Sequence, residues 1–143
     1  MTAEIDEVRR RIDAHLFTDV VHERWVQHVE YDPEIDRWYV RFTTDDRDAA
    51  TIYLTLRERT LQYELFFLPA PPVSNAAFLA WLLRRNREIY GARFSVGDDG
   101  DVYLDGRIAL EHCSITELDR ILGVLYECTD LWFAAAARLA FGH

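Results

Sequence analysis

Lysine is absent from this sequence, so all 16 basic residues are arginines, and they are outnumbered by 25 acidic ones. The resulting formal charge of −9 leaves no basic field to draw the chain onto nucleic acid or an anionic membrane. Cysteine occurs twice, at positions 113 and 128, with no C-x-x-C spacing. That excludes a disulfide framework and a zinc knuckle, and it suits a reducing cytoplasm. Six glycines and four prolines exclude collagenous and linker-like chains. The longest apolar run, Leu131 to Ala137, is far shorter than a bilayer span, and charge interrupts the first residues from Glu4 onward. Neither an export signal nor a membrane anchor is expected, and the cytosol is the expected location.

What is present is core material. Half of the 143 residues are hydrophobic and 13% are aromatic, enough to close one domain spanning 1–143. Ile5, Val8, Ile12 and Leu16 recur at helical spacing behind acidic residues and a candidate cap at Thr2. They predict a short amphipathic helix over about residues 3–15. The period then changes to two. Trp25 to Tyr31, Arg37 to Thr43, Thr51 to Leu56 and Leu61 to Phe67 read as strands. They are separated by Asp32-Pro33, by the polar stretch Thr44 to Asp48, and by a turn over Arg57 to Thr60 that lacks Asn-Gly or Asp-Gly.

Pro69, Pro71 and Pro72 stop the fourth strand. A second helix follows, with Ser74 as its cap, Phe78, Trp81, Leu82 and Ile89 as its stripe, and Gly91 as its left-handed stop. Phe94 and Val96, the loop Gly97 to Gly100, then Val102 and Leu104 form a hairpin. Ser114-Ile115-Thr116-Glu117 is a capping box that opens a last helix carrying Leu118, Leu122 and Leu125. Gly123 and Asp130 leave open whether that helix continues through Leu139 or splits. The order α-β-β-β-β-α-β-β-α specifies an α+β fold, a mainly antiparallel sheet with helices packed on one face.

Several pieces of the second half occur together. They are Leu82 to Asn86 ending a helix, the pair Tyr90-Gly91, the strand Gly100 to Leu104, and Glu117 to Arg120. In order and spacing they resemble the actinobacterial branch of the YbjN family, bacterial sensory transduction regulators with a type III secretion chaperone-like fold. The resemblance covers the half after Arg59 well and the half before it loosely. It implies one sheet with helices against it, frequent homodimers, and relatives that bind extended segments of partner proteins. It carries over no catalytic or cofactor residue.

Read residue by residue, the chain offers little chemistry. Histidines at 15, 22, 28, 112 and 143 make no i,i+4 pair and read as a surface scatter. Asp98, Asp99, Asp101 and Asp105 lack the glycine and the distal glutamate of a calcium loop and read as turn residues. No nucleophile elbow, P-loop or dinucleotide fingerprint is present, so no enzyme and no cofactor is expected.

Arg84, Arg85 and Arg87, with Asn86 and Tyr90, form a basic cluster in an acidic chain. They are either grips for a phosphate or an acidic peptide, in an anion-binding sensor, or partners of a helix dipole. For Asn86, the resemblance it shares with Tyr90 implies a structural hydrogen bond or an interface contact. The alternation of the strands offers more. With Trp38, Val40, Phe42, Ile52, Leu54, Leu56, Leu61, Leu65 and Phe67 facing the helices, the opposite face presents Tyr39, Arg41, Thr51, Tyr53, Thr55, Gln62, Glu64, Phe66 and Tyr103. Such a face suits a dimer contact or a partner segment, with Tyr39, Tyr53, Phe66 and Tyr103 as its anchors. An ordinary solvated sheet surface has the same composition.

Overall fold

Alternating strands after an amphipathic helix can bury both apolar sets only if the helix lies across one sheet face. The computed structural model, which describes residues 2–73 and 75–142, has that arrangement. Helix α1 (Thr2–Thr18) is followed by β1 (Val26–Asp32), β2 (Arg37–Thr44), β3 (Arg47–Leu56) and β4 (Thr60–Leu68). Then come α2 (Ala76–Asn86), β5 (Arg93–Val96), β6 (Val102–Ala109) and α3 (Ile115–Phe141). The six strands form one antiparallel sheet in the order β1-β2-β3-β4-β6-β5.

Every residue expected to face the helices is buried, Trp38, Phe42 and Phe67 completely. They pack with Val8, Ile12 and Leu16 of α1, Phe78 and Leu82 of α2, and Leu118, Leu122 and Leu125 of α3 in one hydrophobic cluster. Each such side chain contributes about 1.5–3 kcal/mol on burial. Trp38 keeps its indole N–H satisfied by donating to Asp13 Oδ1 of α1 at 3.0 Å. One turn earlier on α1 the Arg9 guanidinium forks onto Asp36, at 3.0 and 2.7 Å, and Tyr31 donates to the same carboxylate at 2.6 Å. Asp36 holds the left-handed position of the β1–β2 turn, with φ 55°.

Several boundaries differ from the sequence reading. Thr2 already lies within α1 rather than capping it. The polar stretch Thr44 to Asp48 is not a loop, because β3 begins at Arg47 and only Asp45-Asp46 turn the hairpin. The Arg47 stem is drawn into the fold, its guanidinium 4.8 Å from the Phe133 ring centre. The Arg57 to Thr60 turn is closed by a backbone bond from Arg57 N–H to Thr60 O at 2.8 Å. Ser74 lies outside the described residues, and the cap of α2 is Asn75, whose side chain accepts from Phe78 N–H at 2.9 Å. Helix α2 ends at Asn86, so Ile89 lies beyond it, and Gly91, with φ 85°, belongs to the connection into β5.

Half of the expected capping box forms. Ser114 Oγ accepts from Glu117 N–H at 3.1 Å, but the Glu117 carboxylate binds Arg120 instead of reaching back, and Ser114 N–H donates to His112 O. Helix α3 is continuous for 27 residues, through both Gly123 and Asp130, and Gly142 closes it with φ 77°.

Candidate functional site: the open face of the sheet

The helices cover one face of the sheet, and the alternate side chains of β2, β3, β4 and β6 build the other. Register sets them in rows. Tyr39, Tyr53, Glu64, Asp105 and Arg93 lie directly opposite one another across five strands. Phe66 and Tyr103 are opposite each other in the neighbouring row, and Arg37, Thr55, Gln62 and Arg107 form the row on the other side.

Cross-strand neighbours of this kind are within reach of aromatic side chains. Tyr39 and Tyr53 meet edge to face with ring centres 5.1 Å apart, and Phe66 and Tyr103 do the same at 5.8 Å. Tyr53 and Phe66 remain 36% and 41% exposed although the strand neighbours on either side of each are buried in the core. Thr55 departs from the expected outward set. It is buried on this face because the Arg37 guanidinium lies over it, donating from Nε to Thr55 Oγ1 at 2.8 Å.

Beside the aromatic pairs lies a polar depression of about 380 Å³ lined by Arg37, Tyr53, Gln62, Glu64, Arg107 and their neighbours. Partial burial and the nearby Asp105 charge push the Glu64 carboxyl up, against a smaller opposing effect of Arg37. Asp105 is occupied by Ser95 Oγ at 2.5 Å and by Arg93 at 3.5 Å. Arg107 falls outside the expected face residues because the hairpin read from the sequence ends its last strand at Leu104. The same parity that brings Tyr103 to this face brings Arg107, and the alternation carried two pairs further reaches it.

Arg84, Arg85, Asn86 and Tyr90 sit elsewhere, at the end of α2 in the helical layer. Arg84 is exposed, while Arg85 pairs with Glu88 at 2.9 Å and stacks on Trp81. Asn86 bridges both polar groups of one β5 residue, accepting from Phe94 N–H at 2.6 Å and donating to Phe94 O at 3.1 Å. Tyr90 is 78% exposed, with the Arg120 guanidinium 4.9 Å from its ring centre and Arg120 Nη1 donating to its carbonyl. Arg120 fills the space where a side chain on Gly91 would begin, and the buried Tyr63 donates its hydroxyl to Gly91 O at 2.5 Å. Of the resembling segments, Asn86 thus ties β5 to α2, and Arg120 ties the Tyr90-Gly91 entry loop to α3.

His15 is not part of a surface scatter. It is buried between Asp19 of the following turn, 3.0 Å from Nδ1, and Asp119 of α3, 2.6 Å from Nε2. Burial opposes its charged form, but the two carboxylates outweigh that and raise its pKa. His22, His28 and His112 are exposed, and His143 lies outside the described residues. The aspartates of the β5–β6 hairpin serve the turn, where Asp99 accepts from Asp101 N–H and Asp101 from Ala70 N–H. Both cysteines are buried free thiols, and burial pushes Cys113 up to about 11 and Cys128 up to about 12, which makes them poor nucleophiles. Among the described residues no group of three or more His, Cys, Asp or Glu side chains is placed to hold a metal ion, and no helix is long and apolar enough to cross a membrane.

Comparison with known proteins agrees with this architecture. Over 91% of its length the chain superposes on 93% of a chain from the ExsC–ExsE complex, with a TM-score of 0.60 at 16% identity. It also superposes, over 93% of its length, on 92% of a chain from the HopA1–SchA chaperone–effector complex, with a TM-score of 0.51 at 16% identity. The chain therefore shares the fold of these two chains. In sequence it is 29% identical over 141 residues to uncharacterized proteins of Mycobacterium bovis and Mycobacterium tuberculosis, covering 99% of this chain and 76% of each relative. The profile described as "putative bacterial sensory transduction regulator" matches residues 13–137, and the chain belongs to that family, YbjN.

Proposed function

We propose that this protein is a non-enzymatic, chaperone-like or regulatory adaptor of the cytoplasm, a single domain that binds a partner protein through the open face of its sheet and works as a homodimer. The observation that carries the reading is the pair of half-exposed aromatic contacts, Tyr39 with Tyr53 and Phe66 with Tyr103, on a face no helix covers. Aromatic side chains with few rotatable bonds cover contact area at low entropic cost, which makes them favoured anchors for another chain. The shared fold with chains of a chaperone–effector complex supports the same reading. The cleft beside Arg84, Arg85 and Tyr90 supports an anion-binding sensor less well. Arg85 is already paired, and the groove next to Tyr90 carries Glu88, Asp119 and Glu127.

Photo-crosslinking in the native cell tests the proposal. Benzoylphenylalanine at Tyr53 or Phe66 is expected to give a discrete adduct that the same probe at Arg138, on the outer side of α3, does not. Equal labelling at all three positions would remove the face from consideration. Sedimentation of the purified chain tests the dimer, and a monomer at every concentration would remove that part.

A further inference from the structure

The open face carries arginines that are engaged in no direct ion pair among the described residues. On a chain of net charge −9, Arg37, Arg57 and Arg107 line one depression, and among the described residues none of the three has a carboxylate within ion-pair distance. Two of them are held instead by neutral groups. Arg37 donates to Thr55 and stacks 5.2 Å from the Tyr53 ring centre, and Arg57 reaches Gln62 Oε1 at 3.4 Å. Neutral partners orient a guanidinium while leaving its charge available, and its remaining N–H donors suit a carboxylate.

We infer that this face takes an extended segment of a partner protein in which acidic residues, over Arg37, Arg57 and Arg107, are followed about four positions away by an apolar residue over Phe66 and Tyr103. The spacing comes from the sheet itself. Gln62, in the arginine row, and Phe66, in the aromatic row, are four residues apart on β4, roughly 13 Å at the rise of an extended strand, and a segment lying along the strands keeps the same step. Between them stand Glu64 and Asp105, so the residue of the segment over that row is uncharged. The inference rests on the reading of this face as the partner-binding surface and specifies what the partner brings to it. A second copy docked on this face about a twofold axis would present the same arginines rather than carboxylates, so charge complementarity favours the acidic segment.

Fluorescence anisotropy on the full-length chain tests it. The probe is a labelled peptide with consecutive glutamates at one end, a Ser-Thr spacer and Leu-Phe-Leu at the other, made in both orders, each with a Glu→Gln twin. The glutamate peptide in one order is expected to bind about tenfold more tightly than its glutamine twin, with the gap closing as salt is added. Arg37→Gln with Arg107→Gln is expected to abolish the gap while leaving the twin's affinity in place, and Phe66→Ala to weaken both peptides. Thermal melts establish that the variants remain folded.

Equal affinity for the glutamate and glutamine peptides, or no binding of any of them, overturns the acidic segment. The crosslinks at Tyr53 and Phe66 decide the wider reading separately. Displacement of the glutamate peptide by tripolyphosphate, with no effect of Phe66→Ala, makes the occupant a free polyanion and also overturns the inference. A change of oligomeric state in the arginine variant assigns the face to a second copy of the chain, and the acidic segment falls with that assignment.

Discussion

At the scale of single residues, glycine separates positions that look alike in sequence. Gly106 faces the core opposite Tyr63, and a Cβ there would lie 2.5 Å from the Tyr63 ring and 2.7 Å from its hydroxyl oxygen. Tyr63 cannot give way, because it is buried and its hydroxyl is bound to Gly91 O. Gly106→Ala is therefore expected to cost about 1–3 kcal/mol in urea denaturation, the range for overpacking a closed core. An unchanged midpoint would show that the ring has somewhere to go. His15 adds a pH dependence with a definite sign. Its folded pKa is raised above its ordinary 6.5, so the stability it contributes is complete below that value and is lost as pH rises through the folded pKa. The melting temperature of the parent minus that of His15→Gln is expected to be largest near pH 6 and to shrink toward pH 9. A difference that grows with pH would mean the buried ring is held neutral. Neither feature was legible in the sequence. One isolated glycine or histidine looks like another until the partner strand or helix is in place.

At the scale of elements, the regular parts of the chain were legible and the joints were not. Period-two alternation placed all four strands of the first sheet segment and the inward side of β2, β3 and β4, because a one-residue slip would have turned Trp38, Phe42 and Ile52 out to water. Ends were set by tertiary partners instead. Arg47 lengthened β3 by packing on Phe133, and Asn86 ended α2 by binding β5. Helix α3 runs through Gly123 because Leu122 and Leu125 beside it are buried, and this outweighs the weak propensity of one glycine. Apart from its chain neighbours and the nearby backbone of α3 itself, no heavy atom lies within 4 Å of where a Cβ on Gly123 would sit. Gly123→Ala is thus expected to stabilise the chain by about 0.5–1 kcal/mol, the gain of alanine over glycine inside a helix, read as a higher denaturation midpoint. A loss would mean that α3 needs the glycine to bend. Asn86→Ala removes both bonds to Phe94 and is expected to cost about 1–3 kcal/mol. Hydrogen exchange is the readout, with β5 amides opening before those of β2 and β3.

At the scale of the whole molecule, the sheet separates two tasks by side-chain parity. Odd and even positions of the same strand meet either the helices, where they hold the fold together, or the open face, where Tyr53 and Phe66 stay exposed. The division makes a joint prediction. Phe42, completely buried on the helical side, is expected to cost about 3–5 kcal/mol when cut to alanine, whereas Phe66, 41% exposed on the other side, is expected to cost less than about 1 kcal/mol. If the exposed aromatics serve recognition, Phe66→Ala keeps its melting curve and loses the crosslinked partner, so binding and stability come apart at one residue. A loss of several kcal/mol at Phe66 would instead make the aromatic pairs part of what holds the sheet, and the open face would be a structural surface with no partner to explain.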